Sequence, residues 1–409
     1  MPERPLKRLV DPARPITYGI VQAGDDYPGG IPYVRPIDMS DFGGVPDPSS
    51  LLHTSPEIAS AYRRSSVRSG DVVVSIGPSF GKVMIVPPEL EGANLTQGTA
   101  RVAPSRGASP RYLYWALQSR LAVAHWDAAV GGATFRALNL GPLGETPVPV
   151  WSLPRQQSIA DYLDTETARI DSIVAARSSQ AALVEERRVS MLSRLLVPEG
   201  AAFLPLRRLA VIQSGLTVDA LREVTEDAVT RPYLRVANVQ PGRLELDSVT
   251  EITVPSGLAE RCTLRDGDVL MTEGGDLDKL GRGAIWRGEL PGALHQNHIF
   301  AVRPLPELLD PEYLGLLTQT AHARAYFEST GVKTTNLAST NREKIMSLPI
   351  PRLSVLDQRT RVAEARARLD RMTAFQGCLR SQADLLHERR QALVTASVTG
   401  QIEIPGVAA

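Results

Sequence analysis

The sequence repeats itself at about half its length, and a chain that does so is expected to fold as two copies of one design. The run LVEERRVSMLSRLL, Leu183 to Leu196, returns as LLHERRQALVTASV, Leu385 to Val398, with Glu-Arg-Arg in the same frame 202 residues on. Earlier markers return in the same order. PLKRLV at Pro5 becomes PLRRLA at Pro205, and PYVRPIDM at Pro32 becomes PYLRVANV at Pro232. RSGDVVVS ending at Ser75 becomes RDGDVLMT ending at Thr272, and GANLTQGTARVAP at Gly92 becomes GALHQNHIFAVRP at Gly292. PRYLYWAL at Pro110 becomes PEYLGLLT at Pro311. Chance similarity does not preserve order with such small shifts, so the chain is a tandem duplication of a domain pair.

Each half divides again. Its first part is rich in Gly and Pro and carries short β-like runs such as DVVVSI (Asp71–Ile76), KVMIV (Lys82–Val86) and DVLMT (Asp268–Thr272). Helices are expected after Pro110 and Pro311, since proline suits a first helical turn. This is a mixed α/β (α+β) domain. Its last part almost lacks Gly and Pro and turns to helical periodicity. Leu163, Ile170, Val184 and Met191 fall on one seven-residue lattice that Arg177 interrupts, with Ile173, Val174, Ala181 and Leu195 beside it. Met372, Leu379, Leu386 and Leu393 share a second lattice, flanked by Val362, Leu369 and Ala383. A heptad keeps one apolar seam on a partner helix. About 40 residues make a rod of roughly 60 Å, stopped by Pro198 and Gly200 in one case and by Gly400 in the other. Two rods pairing antiparallel fit a period near 3.5 better than each rod packing on its own globular domain. The expected organisation is a first globular domain over 1–150, a helix over 151–198, a second globular domain over 199–352, a helix over 353–401, and a tail over 402–409.

Bulk properties set outer bounds. A chain of 409 residues exceeds one ordinary core. An apolar fraction of 43% with 22% charged residues fits a soluble globular protein. Zero net charge supplies no global attraction to nucleic acid or membrane, so a DNA-binding face has to be a local concentration of basic residues. No stretch approaches the roughly 18–20 apolar residues of a membrane span, and the N-terminal run lacks the apolar core of a signal peptide. Cys262 and Cys378 cannot make a disulfide framework, which points to the cytoplasm.

No catalytic constellation is visible. Gly77-Pro78-Ser79-Phe80-Gly81-Lys82 has three residues between its glycines and Val83 after the lysine, where a P-loop needs four and Ser or Thr. A turn between two strands explains it better. His295-Gln296-Asn297-His298 lacks a second ligand pair for zinc, and the first repeat has Leu95-Thr96-Gln97-Gly98 there. G-x-S-x-G, H-E-x-x-H, the acidic-Pro-Pro-aromatic motif of adenine methyltransferases and a glycine-rich S-adenosylmethionine loop are all missing. Glu343-Lys344 has no matching Asp for a nuclease site. Neither metal nor cofactor is expected, and the chain points to binding or assembly.

Leu153-Pro154-Arg155-Gln156-Gln157-Ser158-Ile159, a long helix ending in Glu186-Arg187-Arg188, a second globular domain and then LLHERRQALVTASVTGQIEI resemble the specificity subunit of type I restriction-modification systems. The strands carrying Gln97-Gly98 and Asn297-His298, each shortly before a Pro, are similar as well. The resemblance implies two target-recognition domains, each reading one part of a split double-stranded DNA sequence. It implies two helices forming an antiparallel coiled coil that separates them in a pseudo-twofold arrangement. It implies docking of two methyltransferase subunits and of restriction subunits, with no catalysis in the specificity subunit itself and no membrane. A non-catalytic coiled-coil adaptor that assembles proteins without reading DNA is the alternative. The sequence Leu356-Asp357-Gln358 lacks the proline found at Pro154, so the lead-in to the second helix is expected to differ.

One turn of B-DNA is about 34–36 Å, and a rod of the expected length can hold two reading heads about one turn apart. Because the two globular domains differ in sequence, the two half-sites should differ. Base edges are met by Arg, Lys, Asn and Gln, phosphates by these and by Ser and Thr. Loops where the repeats disagree supply the candidates: Ser79, Lys82, Arg136 and Asn139 in the first domain, and Lys279, Arg282, Lys333, Thr334 and Asn336 in the second. The segments GGATFRALN and GVKTTN hold several of them, with glycine allowing close backbone approach. Arg35 and Arg235 match and so are assigned to the shared fold. Glu186, Arg187, Arg188, Glu388, Arg389 and Arg390 recur for a common job, either a bridge between the rods or a contact with the methyltransferase.

Overall fold

The computed structural model describes residues 2–40, 44–130, 137–217, 226–275, 280–333 and 338–404. It resolves into two units. The first comprises Met1–Arg177 with Ser381–Ala409, and the second comprises Ser178–Arg380.

Of the apolar runs that looked like strands, those at Asp71 and Asp268 are central strands covered on both faces, and KVMIV supplies an edge strand. In the first unit Val72–Ser75 lies between Thr99–Val102 and Val83–Ile85, with Thr17–Tyr18 beyond, all antiparallel. Val72 and Val74 enter one core with Leu113 and Leu117, while Val73 enters another with Met84 and Leu95. A strand buried on both faces has no polar side to alternate with, hence VVV. The second unit repeats this. Val269–Thr272 lies between Ile299–Pro304 and Gly283–Ile285, with Ala210–Ser214 outermost. Val269 and Met271 face one core and Leu270 the other. A smaller mixed sheet accompanies each. In the first unit Ile31–Val34 pairs antiparallel with His53–Thr54 and parallel with Asn94–Leu95. Its counterpart is Ala228–Leu234 between Thr250–Pro255 and Leu294–His295. Gly19 and Gly215 make that arrangement possible, because a Cβ on either would lie 1.8 Å from the Leu95 carbonyl oxygen or 2.2 Å from that of His295.

The helices after Pro110 and Pro311 form as expected, over Pro110–Gln118 and Pro311–Leu317, capped by Ser109 and Asp310. The long helices run unbroken over Leu153–Leu196 and Val355–Thr399. Gly200 and Gly400, at φ of +72° and +71°, turn the chain beyond their ends.

Each unit takes the beginning of one long helix and the end of the other. In the first unit Ile159, Ala160 and Leu163 share a core with Val394 and Val398. In the second, Leu192 and Leu196 share one with Val362 and Ala365. Beginning meets end in both, so the two helices run antiparallel where they meet. The same cores contain the globular residues Leu113 and Leu117, or Leu314 and Leu317. Thus the two packing schemes weighed from sequence are not exclusive: the helix ends pair with each other and on a globular core together. Each fully buried Leu or Val contributes about 1.5–3 kcal/mol. Among the expected seam residues Leu163, Ile170, Val184, Val362 and Leu379 are buried. Ile173 is not a seam residue, being 43% exposed.

The lead-ins to the two helices share one set of glutamine bonds despite the missing proline, and differ in how the first turn is opened. Gln156 Oε1 accepts from the Ser109 N–H at 2.8 Å, and its Nε2 donates to the carbonyls of Gly107 and Trp151. Gln358 repeats all three bonds, with the Asp310 N–H at 2.8 Å and the carbonyls of Leu308 and Leu353. Where the first helix has proline in its opening turn, the second uses the Ser354 hydroxyl to accept from the Asp357 N–H at 3.1 Å.

Candidate nucleic-acid interface

The Glu-Arg-Arg motifs divide by helical geometry. Glu186, Arg187, Glu388 and Arg389 are exposed, whereas Arg188 is half-buried and Arg390 only 8% exposed. Arg390 Nε donates to Asp171 Oδ1 at 3.1 Å, and its guanidinium lies 5.5 Å from the centre of the Trp115 ring. Asp171 belongs to the first long helix and Trp115 to the globular part of the same unit. Arg188 Nη1 donates to Gln319 Oε1 at 2.7 Å in the globular part of the second unit, and Arg188 also pairs with Glu185. The third residue of each motif therefore works inside its unit, leaving the first two on the surface.

A second pair of contacts follows one turn later. Thr395 Oγ1 accepts from the Arg120 N–H at 3.0 Å, and Ser193 Oγ accepts from the Ala321 N–H at 2.9 Å. Each long helix thus caps the start of a short helix, Arg120–Ala129 or Ala321–Thr330, satisfying a donor left over at its first turn. Sequence reasoning named Gln156 and Gln358 in the lead-ins without assigning them a role, and missed Ser193 and Thr395. Their signal was present, since all four are hydrogen-bonding residues repeated 202 positions apart.

The described residues flanking the loops singled out for DNA reading lie on one edge of each unit. In the first, Gln97 N donates to the Ile20 carbonyl (2.8 Å), Ile76 and Gly77 N to that of Gly98 (2.7 and 3.1 Å), and Leu138 N to that of Ile76 (2.9 Å). In the second, Asn297 N donates to Leu216 (3.0 Å), Glu273 N to His298 (3.0 Å), and Thr340 N to Glu273 (2.7 Å). One backbone ladder therefore holds the turn after the central strand, the Gln97 or Asn297 turn, and the segment before the last short helix. In the first unit these elements enclose a cleft of about 610 Å³.

The individual candidates fare differently. Ser79 is exposed on the turn from Val72–Ser75 to Val83–Ile85, where its carbonyl accepts from Ser75 Oγ. Lys82 is half-buried and its Nζ donates to the Met39 carbonyl at 2.7 Å. Asn139 is exposed at the start of Leu140–Gly144, lines the cleft, and makes no side-chain cap. Arg282 is half-buried, donates to Gln240 Oε1 at 3.3 Å, and lies beside Arg188 and Arg324 around a small pocket. Lys333 lies in the strand Val332–Lys333, and its side chain is outside the description. Arg136, Lys279, Thr334 and Asn336 also lie outside the described residues. Arg35 closes its turn on Asp38 through both its backbone N–H and its guanidinium, whereas at Arg235 the backbone N–H closes the turn on Asn238 Oδ1.

His295 and His298 do not form a metal site. His295 is fully buried, its Nδ1 against the Ile299 carbonyl at 2.8 Å, and burial pushes its pKa down to about 4. His298 Nδ1 lies 2.5 Å from Glu273 Oε2 at the ladder edge. Among the described residues no group of three or more His, Cys, Asp or Glu is arranged to hold a metal ion, and no helix is long and apolar enough to cross a membrane.

Two globular parts, each fastened to the beginning of one long helix and the end of the other, make up a fold that solved chains of type I restriction-modification systems share. A solved chain from work on complex assembly and conformational transition of the type I R-M system has a TM-score of 0.71 at 16% identity, covering 98% of both chains. The HsdS subunit from Thermoanaerobacter tengcongensis has a TM-score of 0.50 at 16% identity, covering 98% of this chain and 97% of that one. In sequence, the chain is similar to the type I restriction enzyme EcoBI specificity subunit of Escherichia coli, 30% identical over 200 residues. That match covers 46% of this chain and 40% of the relative. The EcoKI specificity subunit of Escherichia coli K12 is 24% identical over 193 residues, covering 43% of this chain and 40% of the relative. The chain thus spans well under two thirds of these curated relatives where it matches them. No protein-family model matches it. The resemblance drawn from the helix motifs is borne out by these relatives.

Proposed function

We propose that the chain is the DNA sequence-specificity subunit of a type I restriction-modification complex, reading an asymmetric bipartite target. It carries specificity, and its partner subunits carry catalysis. One observation supports this above the others. The two units keep the same backbone ladder and the same helix fastenings, yet differ in the side chains presented at the ladder edge. A duplicated frame with divergent edges is what reading two different half-sites requires. The exposed residues Glu186, Arg187, Glu388 and Arg389 are the surface left for two methyltransferase subunits, and restriction subunits join the same assembly.

The test is duplex binding by the chain purified with the adenine methyltransferase subunit of its own system. The complex should select a discrete set from a random duplex pool, while the methyltransferase alone selects none. Equal selection by the methyltransferase alone, or tight S-adenosylmethionine binding by this chain alone, would contradict the reading.

A further inference from the structure

The ladder edge carries a primary amide at the same two places in both units, Gln97 and Asn139 in the first and Asn297 and Asn341 in the second, where Asn341 Oδ1 accepts from the Lys344 N–H, but the surroundings of these amides are chemically opposite. In the first, Tyr18 and Val21 are 36% and 48% exposed and wall the cleft together with Pro78 and Leu138. Gln97 and Asn139, both exposed, sit at its polar rim, and neither side chain makes a hydrogen bond among the described residues. In the second unit the ladder equivalents of Tyr18 and Val21 are Ser214 and Thr217, both exposed. Ile76 is replaced by Glu273, and Gly98 by His298. His298 Nδ1 holds Glu273 Oε2 at 2.5 Å, which fixes the carboxylate and leaves Oε1 for another donor.

We propose, resting on the specificity reading above, that this edge recognises base pairs of opposite class in the two units. In the first it takes an A·T pair. A primary amide offers one donor and one acceptor, which match adenine N7 and N6, and the Tyr18–Val21 wall takes the thymine methyl. In the second it takes a G·C pair. The Glu273 carboxylate only accepts, and it meets the cytosine N4 amino group, while Ser214 and Thr217 stand in place of the larger apolar Tyr18–Val21 wall.

The test compares the wild-type chain with Gln97→Ala, Asn139→Ala and Glu273→Gln. Each is co-expressed with the methyltransferase subunit in a host without other adenine methylation, and methylated motifs are mapped by single-molecule sequencing. Gln97→Ala or Asn139→Ala should relax one A·T position in one half-site, with discrimination falling on the order of 10- to 100-fold. Glu273→Gln should relax or convert one G·C position in the other half-site only. If a variant abolishes methylation, selection of duplexes from a random pool by the same complex reads the position directly. Unchanged motifs in all three variants, or a Glu273→Gln effect on the half that Gln97→Ala alters, overturn the inference and leave the specificity reading standing. A wild-type complex that yields no motif overturns both.

Discussion

Arg390 and Asp171, 219 residues apart in sequence, meet with Nε 3.1 Å from Oδ1, the arginine buried and the aspartate at the edge of solvent. This pair joins the end of the second long helix to the beginning of the first, beside Trp115 of the globular part. Arg390→Ala removes a nearly buried, charge-assisted contact and strands part of the pocket around it. We expect a loss of about 1–3 kcal/mol in chemical denaturation, against less than about 0.5 kcal/mol for its exposed neighbour Arg389→Ala. Equal effects would show that the third arginine has no special place.

The glutamine fastenings predict a matched pair of defects. Gln156→Leu strands the Ser109 N–H and two carbonyls, and Gln358→Leu strands the Asp310 N–H and two carbonyls. An unsatisfied buried donor alone costs about 1–3 kcal/mol. Both variants should lower the urea midpoint by similar amounts, and a defect confined to one would break the equivalence of the two units.

His295 makes stability depend on pH with a definite sign. Its folded pKa is about 4, against an ordinary value of 6.5, because burial excludes the charged form although Asp268 lies near. The unfolded chain binds the proton first. This contribution is complete above pH 6.5 and is lost as pH falls toward 4, on the order of 3 kcal/mol in all. Leu95 occupies the equivalent place in the first unit. His295→Leu should flatten the fall in urea midpoint between pH 6.5 and 4.5. A slope as steep as wild type would assign the acid sensitivity elsewhere.

Exchange of one globular part tests modularity. Replacing residues of about 200–350 with the corresponding segment of another specificity subunit should alter one half of the target and leave the other half as it was. Changes in both halves would mean that the units do not read independently.

Much of the frame was legible in the sequence because it rests on patterns a chain must repeat to repeat a fold. Apolar triplets at Val72 and Val269, proline before Tyr112 and Tyr313, and heptads ended by glycine all specify local structure. The inward turn of Arg188 and Arg390 was not legible. Three charged residues in a row look like one solvated face, and only packing against partners 131 and 219 residues away turns the third inward. The lead-in at Asp357 differs in its first turn, where proline is one way to open a helix and Ser354 is another. At the ladder edge, loop composition pointed to Asn139, and the resemblance pointed to the strands of Gln97-Gly98 and Asn297-His298. Neither pointed to Glu273, whose place at the edge comes from backbone bonds between distant turns.

The central claim is that two divergent edges on one repeated frame read two different half-sites. Single-molecule sequencing of DNA from cells carrying this chain and its methyltransferase measures that directly. The account predicts methylated adenine in one split motif with two dissimilar halves. Methylation scattered without a motif, or a single uninterrupted site, would contradict it.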